Sequence, residues 1–133
     1  LILRISNLIG KINKKLANRK VSITFIDNFY KFKKRKKVFY ENFYKDFLSE
    51  IQFSLIFNEI LKKDLKGIYN VSLGIKVFIS EILLALNKNK IDKRFCKLDP
   101  ISNDNFVLNN QKLKKKINIK IKKQDLLKYC YNM

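Results

Sequence analysis

Only three glycines and one proline punctuate these 133 residues. Those two residue types are where a chain most readily turns sharply or stops a helix. With so few of them, long uninterrupted elements are expected, and the apolar spacing selects helices. In residues 1–17, Ile2, Ile5, Leu8, Ile9, Ile12 and Leu16 recur at three- and four-residue steps. Residues 41–66 repeat the pattern through Phe47, Leu48, Ile51, Leu55, Ile56, Ile60 and Leu61, as one helix or two pieces. Gly67 to Ser72 interrupts it. Ser72 is then placed to cap a helix running to Leu86, with Ile75, Phe78, Ile79, Ile82, Leu83 and Leu86 on its buried side. Asp99 and Pro100 signal the start of a short helix to about Leu108. Asn109 and Asn110 turn the chain into a final helix over residues 112–129, with Leu113, Ile117, Ile121 and Leu126 inward. Residues 20–26 differ: Val21, Ile23 and Phe25 alternate with Ser22 and Thr24, the spacing of a short strand.

Charge constrains the partner. Thirty Lys and Arg against eleven Asp and Glu give a net charge of +19, which opposes a compact state unless a polyanion stands against it. Nucleic acid is the first choice and anionic lipid the second. Apolar residues make up 47% of the chain, enough for a core. The densest charge is Lys33-Lys34-Arg35-Lys36-Lys37, flanked by Phe29, Tyr30, Phe32, Phe39, Tyr40, Phe43 and Tyr44. This block is either a solvated turn between core aromatics or an RNA-binding arm, with lysines on phosphates and rings on bases. The abundance of Lys over Arg, with many Asn, Ile, Phe and Tyr, reads as the product of an AT-rich genome, hence an organelle-encoded mitochondrial protein. A first residue other than Met fits a non-standard start or a trimmed precursor.

Catalytic signatures are few. The sequence has no histidine for acid–base work. Gly10, Gly67 and Gly74 form no phosphate-cradling motif. Cys96 and Cys130 are isolated, so they build no zinc cluster, and reduced thiols are expected. Cys130 lies near Lys128 but has no base, which reads as a packed thiol rather than a nucleophile. The greasiest run, residues 77–86, is short and interrupted by Glu81, so no membrane span is expected. No catalytic residue, metal site or cofactor is expected.

The order of residues in the second half carries a resemblance. Leu113-Lys114-Lys115-Lys116-Ile117 is followed by Lys120-Ile121-Lys122-Lys123, then Asp125-Leu126-Leu127, then Tyr129-Cys130-Tyr131. Upstream, Leu61, Leu65, Ile68, Tyr69 and Val71 lead through a turn into Ile79, Ile82, Leu83 and Leu86, and Asp92, Arg94 and Leu98 form a link to Asp99. Over about residues 60–131 this order resembles the small-subunit ribosomal protein thirteen family. It departs from the family at Asn70 and Ser72, which stand where two turn glycines are usual, at Lys116, which replaces an acid, and near Lys128, where one residue is inserted. The family continues into a basic tail, whose role is expected to be lost here or supplied by another polypeptide.

The resemblance implies a mainly α fold: a small helical domain with a helix–turn–helix (helix-two-turns-helix-like) core, preceded by an extension with a short strand. Residues 1–49 would be the basic and aromatic extension, and residues 50–133 the rRNA-binding domain. The implied function is that of a structural constituent of the mitochondrial ribosome, not an enzyme. Its partners would be small-subunit rRNA in the head, neighbouring head proteins and a large-subunit protein across the subunit bridge, with no small-molecule substrate. The RNA contacts would be Lys33, Lys34, Arg35, Lys36, Lys37, Asn70, Ser72, Lys114, Lys115, Lys120, Lys122, Lys123 and Lys128. Two rival readings remain. One is a non-ribosomal helical nucleic-acid-binding protein. The other is a peripheral structural subunit of an organellar membrane complex, with residues 1–16 as an amphipathic helix on the bilayer.

Overall fold

A computed structural model describes residues 1–11, 39–40, 42–88, 96–97 and 105–133. The chain opens with strands, not with a helix. Strand β1 (Ile2–Ile5) and strand β2 (Asn7–Ile9) form one nearly continuous stretch with Ser6 between them. Isoleucine and leucine at these positions satisfy a pleated surface as well as a helix stripe, and β-branched residues favour the former.

Further on come β3 (Phe39–Tyr40), β4 (Tyr44–Lys45), β5 (Phe47–Ser49) and helix α1 (Glu50–Lys62). They are followed by β6 (Ile68–Val71), β7 (Val77–Phe78), α2 (Ile79–Leu86) and β8 (Cys96–Lys97). The short α3 (Gln111–Lys114) and α4 (Lys123–Tyr131) close the chain.

Parallel pairing organises the molecule. β1 runs parallel to β6, with Ile2 opposite Ile68 and Ile5 opposite Val71. β2 runs parallel to β5, with Asn7 opposite Phe47 and Ile9 opposite Ser49. β5, α1 and β6 thus form a strand–helix–strand unit, the connection that parallel strands require. Both of its strands lie along the stretch 2–9. The N–H of Ser6 donates to the Val71 carbonyl at 3.0 Å, and the next N–H, of Asn7, donates to the Asp46 carbonyl at 3.2 Å. Consecutive N–H groups of an extended chain point to opposite sides, so β6 and β5 flank this stretch on opposite edges. β4 pairs antiparallel with β7, and β3 pairs parallel with β8.

Helix α1 begins where Ser49 accepts a hydrogen bond from the Gln52 N–H at 3.1 Å while the Gln52 side chain accepts from the Ser49 N–H at 3.1 Å. This reciprocal pair is a capping box. Gln52, Ile56 and Ile60, spaced by four, form the buried stripe. At the start of α2, Glu81 accepts from the Phe78 N–H at 2.9 Å; phenylalanine offers no acceptor in return. One core joins Ile9, Phe47, Leu48, Ile56, Ile60, Val71, Leu73, Val77, Ile82, Leu83 and Leu126. Helix α4 packs against α2.

Several expectations fail for physical reasons. The mainly α fold is replaced by mixed helices and strands with parallel pairs. Among the described residues there is no helix–turn–helix core: β6 and β7 lie between α1 and α2. Ser72 caps no helix; its hydroxyl is buried and donates to the Leu108 carbonyl at 3.2 Å. The terminal helix is broken between Lys114 and Lys123. There Ile117, Ile119 and Ile121 turn inward while Asn118, Lys120 and Lys122 are exposed, a two-residue period that a helix cannot produce. Glycine scarcity did not enforce helices either, because Asp64 (φ 46°) and Lys88 (φ 52°) take left-handed turn positions themselves. The expected strand at 20–26, the Asp99-Pro100 helix start and the Lys33–Lys37 block lie outside the described residues.

Candidate functional site

Asp46 lies between β4 and β5 and is fully buried. Its carboxylate accepts hydrogen bonds from the N–H groups of Leu73 at 2.9 Å, Gly74 at 3.0 Å and Leu108 at 3.2 Å. Its own carbonyl accepts from the Asn7 N–H at 3.2 Å and from the Asn7 side chain at 3.1 Å. One residue therefore fixes β2, the β4–β5 junction, the loop after β6 and the segment before α3. Burial pushes its carboxyl pKa up, against the opposing pull of the Gly74, Leu73 and Leu108 N–H groups.

Asparagines extend this frame. Asn110 is buried and its amide donates to the Ser72 carbonyl at 2.7 Å. Gly74 closes against it: with φ +72°, a Cβ there would stand 2.5 Å from Asn110 Oδ1. Asn105 accepts from the Tyr44 N–H at 2.9 Å.

Two lysine–aromatic clusters flank the frame, on opposite sides of β4 because Tyr44 and Lys45 are consecutive strand residues. Lys45 Nζ sits 5.2 Å from the Phe43 ring centroid and 5.6 Å from that of Phe106. Lys76 Nζ lies 4.7 Å above the Tyr44 ring, which meets Phe78 edge-on with centroids 5.8 Å apart. A further pair stands near α3, where Lys112 Nζ lies 4.8 Å over Tyr69 and donates to the Ile68 carbonyl at 3.0 Å. Ammonium groups held over rings suit a ligand that is anionic at one end and flat or ring-shaped at the other.

The expected RNA contacts are dispersed over several elements. Asn70 is in β6, and its amide donates to the Asn109 carbonyl at 2.7 Å. Ser72 is buried. Lys114 ends α3, Lys115 follows it, and Lys120 and Lys122 lie in the irregular segment; all four are exposed. Lys123 is half-buried in an ion pair with Glu81 at 2.5 Å. Lys128 is exposed on α4, near Asp125 and Tyr129. Lys45, Asp46, Lys76 and Phe106 were not among the expected residues, and Tyr44 was expected only as one of the rings flanking the 33–37 block. The usable signal was Asp46 itself, an acid set between Tyr44-Lys45 and Phe47-Leu48.

Cys130 is buried in α4, and burial pushes its thiol up to about 12. The Tyr129 hydroxyl donates to Glu50 at 2.7 Å, and burial followed by that carboxylate raises its pKa. Among the described residues no group of three His, Cys, Asp or Glu is placed to share a metal ion. Likewise, no helix among them is long and apolar enough to cross a membrane.

Solved structures share this architecture. The enzyme WbmG of Bordetella bronchiseptica, in complex with NAD, superposes with a TM-score of 0.67 at 24% identity, over 98% of this chain and 42% of that one. The chain shares the fold of part of that structure. The UDP-N-acetylglucosamine 4-epimerase of Methanobrevibacter ruminantium M1, in complex with UDP-N-acetylmuramic acid, matches with a TM-score of 0.65 at 17% identity, over 97% of this chain and 43% of that one. The dTDP-glucose 4,6-dehydratase of Bacillus anthracis, in complex with NAD, matches with a TM-score of 0.53 at 16% identity, over 86% and 36%. The chain thus spans less than half the length of the structures it resembles. No protein-family model and no curated protein matches the sequence.

These matches overturn the ribosomal reading. The structural neighbours are NAD- and nucleotide-sugar-binding enzymes, not ribosomal protein thirteen, and the assignments that depended on that family fall with it: a structural constituent of the ribosome, rRNA and ribosomal-protein partners, and no small-molecule substrate. The alternatives of a helical nucleic-acid-binding protein and a peripheral membrane-complex subunit are displaced by the same matches. The exclusion of enzymes for want of histidine treated 133 residues as a whole catalyst, whereas the neighbouring enzymes are more than twice as long. The lysine-rich order of residues 113–131 is a short-range likeness that a different tertiary fold can also carry.

Proposed function

We propose that this chain is part of an NAD-dependent enzyme that modifies a nucleotide-linked sugar, and that it supplies the face that receives the nucleotide sugar. The observation that carries this reading is the match of 98% of the chain to an enzyme solved with NAD, joined by a match of 97% to an epimerase solved with a UDP-linked sugar. The cluster of Lys76 over Tyr44, with Phe78 edge-on to that ring, supports it. A diphosphate needs compact cationic donors, and a base or sugar ring needs a flat apolar surface. Both occur there on a frame locked by Asp46. Cofactor chemistry would be hydride transfer to and from NAD, and the residues described here would bind and orient the sugar nucleotide.

The test is binding of UDP-N-acetylglucosamine and of dTDP-glucose to the protein, followed by isothermal calorimetry. The variant Lys76→Gln should weaken whichever ligand binds by about tenfold or more, since a lost charge-assisted bond is worth about 1.5–3 kcal/mol. Absence of binding at millimolar ligand, or equal affinity in Lys76→Gln, refutes the proposed face.

A further inference from the structure

The pair β1–β6 is a two-stranded parallel sheet, and β1 has no strand on its other edge among the described residues. The ladder shows which groups face that edge. Ile2 N–H donates to the Gly67 carbonyl at 2.8 Å and Ser6 N–H donates to the Val71 carbonyl at 3.0 Å, so even-numbered residues of β1 point to β6. The N–H and C=O groups of Leu3 and Ile5 therefore point the opposite way, along the side that β5 occupies only from Asn7 onward.

Exposed apolar side chains lie on both faces of this pair of strands. Leu1 and Ile2 are 56% and 59% exposed, and Ile5, Leu8 and Ile68 exceed 40%. At the end of the strand the Ser6 hydroxyl is buried yet has no hydrogen-bond partner among the described residues. Parallel sheets occur almost only with their faces covered, and a two-stranded pair is marginal in water by itself. An open, flat, apolar strand edge is a template for another strand.

We propose that the open edge of β1 is completed by a further strand running parallel to it, contributed by polypeptide outside these 133 residues that carries the rest of the neighbours' sheet. The partner's identity rests on the reading of this chain as part of a larger enzyme. The neighbours match nearly all of this chain, yet more than half of each lies beyond the match. Such a strand would pair with the N–H and C=O groups of Leu3 and Ile5, and its side chains would lie beside those of β1 on the two faces of the sheet.

Hydrogen–deuterium exchange with single-residue resolution tests this. It would be run on the 133-residue chain alone and on the protein purified from its source with all polypeptide joined or bound to it. In the chain alone, Leu3 and Ile5 amides should exchange at least tenfold faster than those of Arg4 and Ser6. In the source-purified protein they should slow by about a hundredfold. Fast exchange in both samples overturns the proposal. So does protection in the chain alone accompanied by dimers in sedimentation, which would make a second copy the occupant. Measuring NAD in the same purified sample separates the two readings. Protection without NAD upholds the completed edge and removes the enzyme assignment; NAD with unprotected Leu3 and Ile5 does the reverse.

Discussion

Replacing Asp46 by alanine removes the acceptor that holds three backbone segments. The carboxylate receives N–H groups from Leu73, Gly74 and Leu108 at 2.9–3.2 Å, and the residue is fully buried. An unsatisfied buried donor costs about 1–3 kcal/mol. The Gly74 and Leu108 bonds are only part-buried, so their donors recover some hydration once the loop relaxes. The expected loss for Asp46→Ala is therefore about 3–5 kcal/mol, the range seen when one partner of a buried charged network is deleted. Asp46→Asn keeps one oxygen for the Leu73 N–H and removes the burden of burying a charge. It should lose about 1–2 kcal/mol. Urea unfolding followed by far-ultraviolet circular dichroism measures both, with tyrosine fluorescence as a second probe because the chain has no tryptophan. Asp46→Ala destabilised by less than about 1 kcal/mol would refute the role given to this carboxylate. A loss in Asp46→Asn as large as in Asp46→Ala would show that the charge, not the count of acceptors, holds the frame.

The pH dependence at the same residue has a definite sign. Its carboxyl pKa is raised above the ordinary value of 3.8, so the folded state holds that proton more tightly than the unfolded chain. The stability difference between the parent and Asp46→Asn should be most favourable to the parent below pH 3.8 and decline as pH rises through the elevated folded value; urea midpoints compared across that interval would read it, and a difference that grows with pH would contradict it. Gly74→Ala forces a Cβ to within 2.5 Å of Asn110 Oδ1 at a φ of +72°. A loss of about 1–3 kcal/mol is expected, with part regained in Gly74→Ala/Asn110→Ala, and strictly additive losses would argue against the clash. Cys130, with its thiol pushed up to about 12, should resist alkylation by iodoacetamide at pH 8 in the native protein and react once urea unfolds it. Rapid native labelling, located by peptide mapping, would contradict its burial.

Much of the local order was legible in the residues. The stripe through Ile56 and Ile60, and that through Ile79, Ile82, Leu83 and Leu86, marked α1 and α2, although both proved shorter than their apolar pattern. What misled was the helical spacing of Ile2, Ile5 and Ile9, which serves a strand equally well when Leu3 and Leu8 between them are also apolar. The alternation Ile117, Ile119, Ile121 was readable as a two-residue period, yet the run of lysines around it looked like the solvated face of a helix.

The sequence alone determined the surplus of positive charge, the content of the core and the helix stripes, because these depend on composition and on neighbours a few residues apart. Only the tertiary structure decided that residues 2–9 lie parallel to both β5 and β6, and that Asp46 meets loops 27 and 62 residues away in the chain. Parallel pairing and a buried carboxylate are satisfied by backbone groups that any residue supplies. Side-chain patterns therefore carry almost no record of which distant segment will meet them.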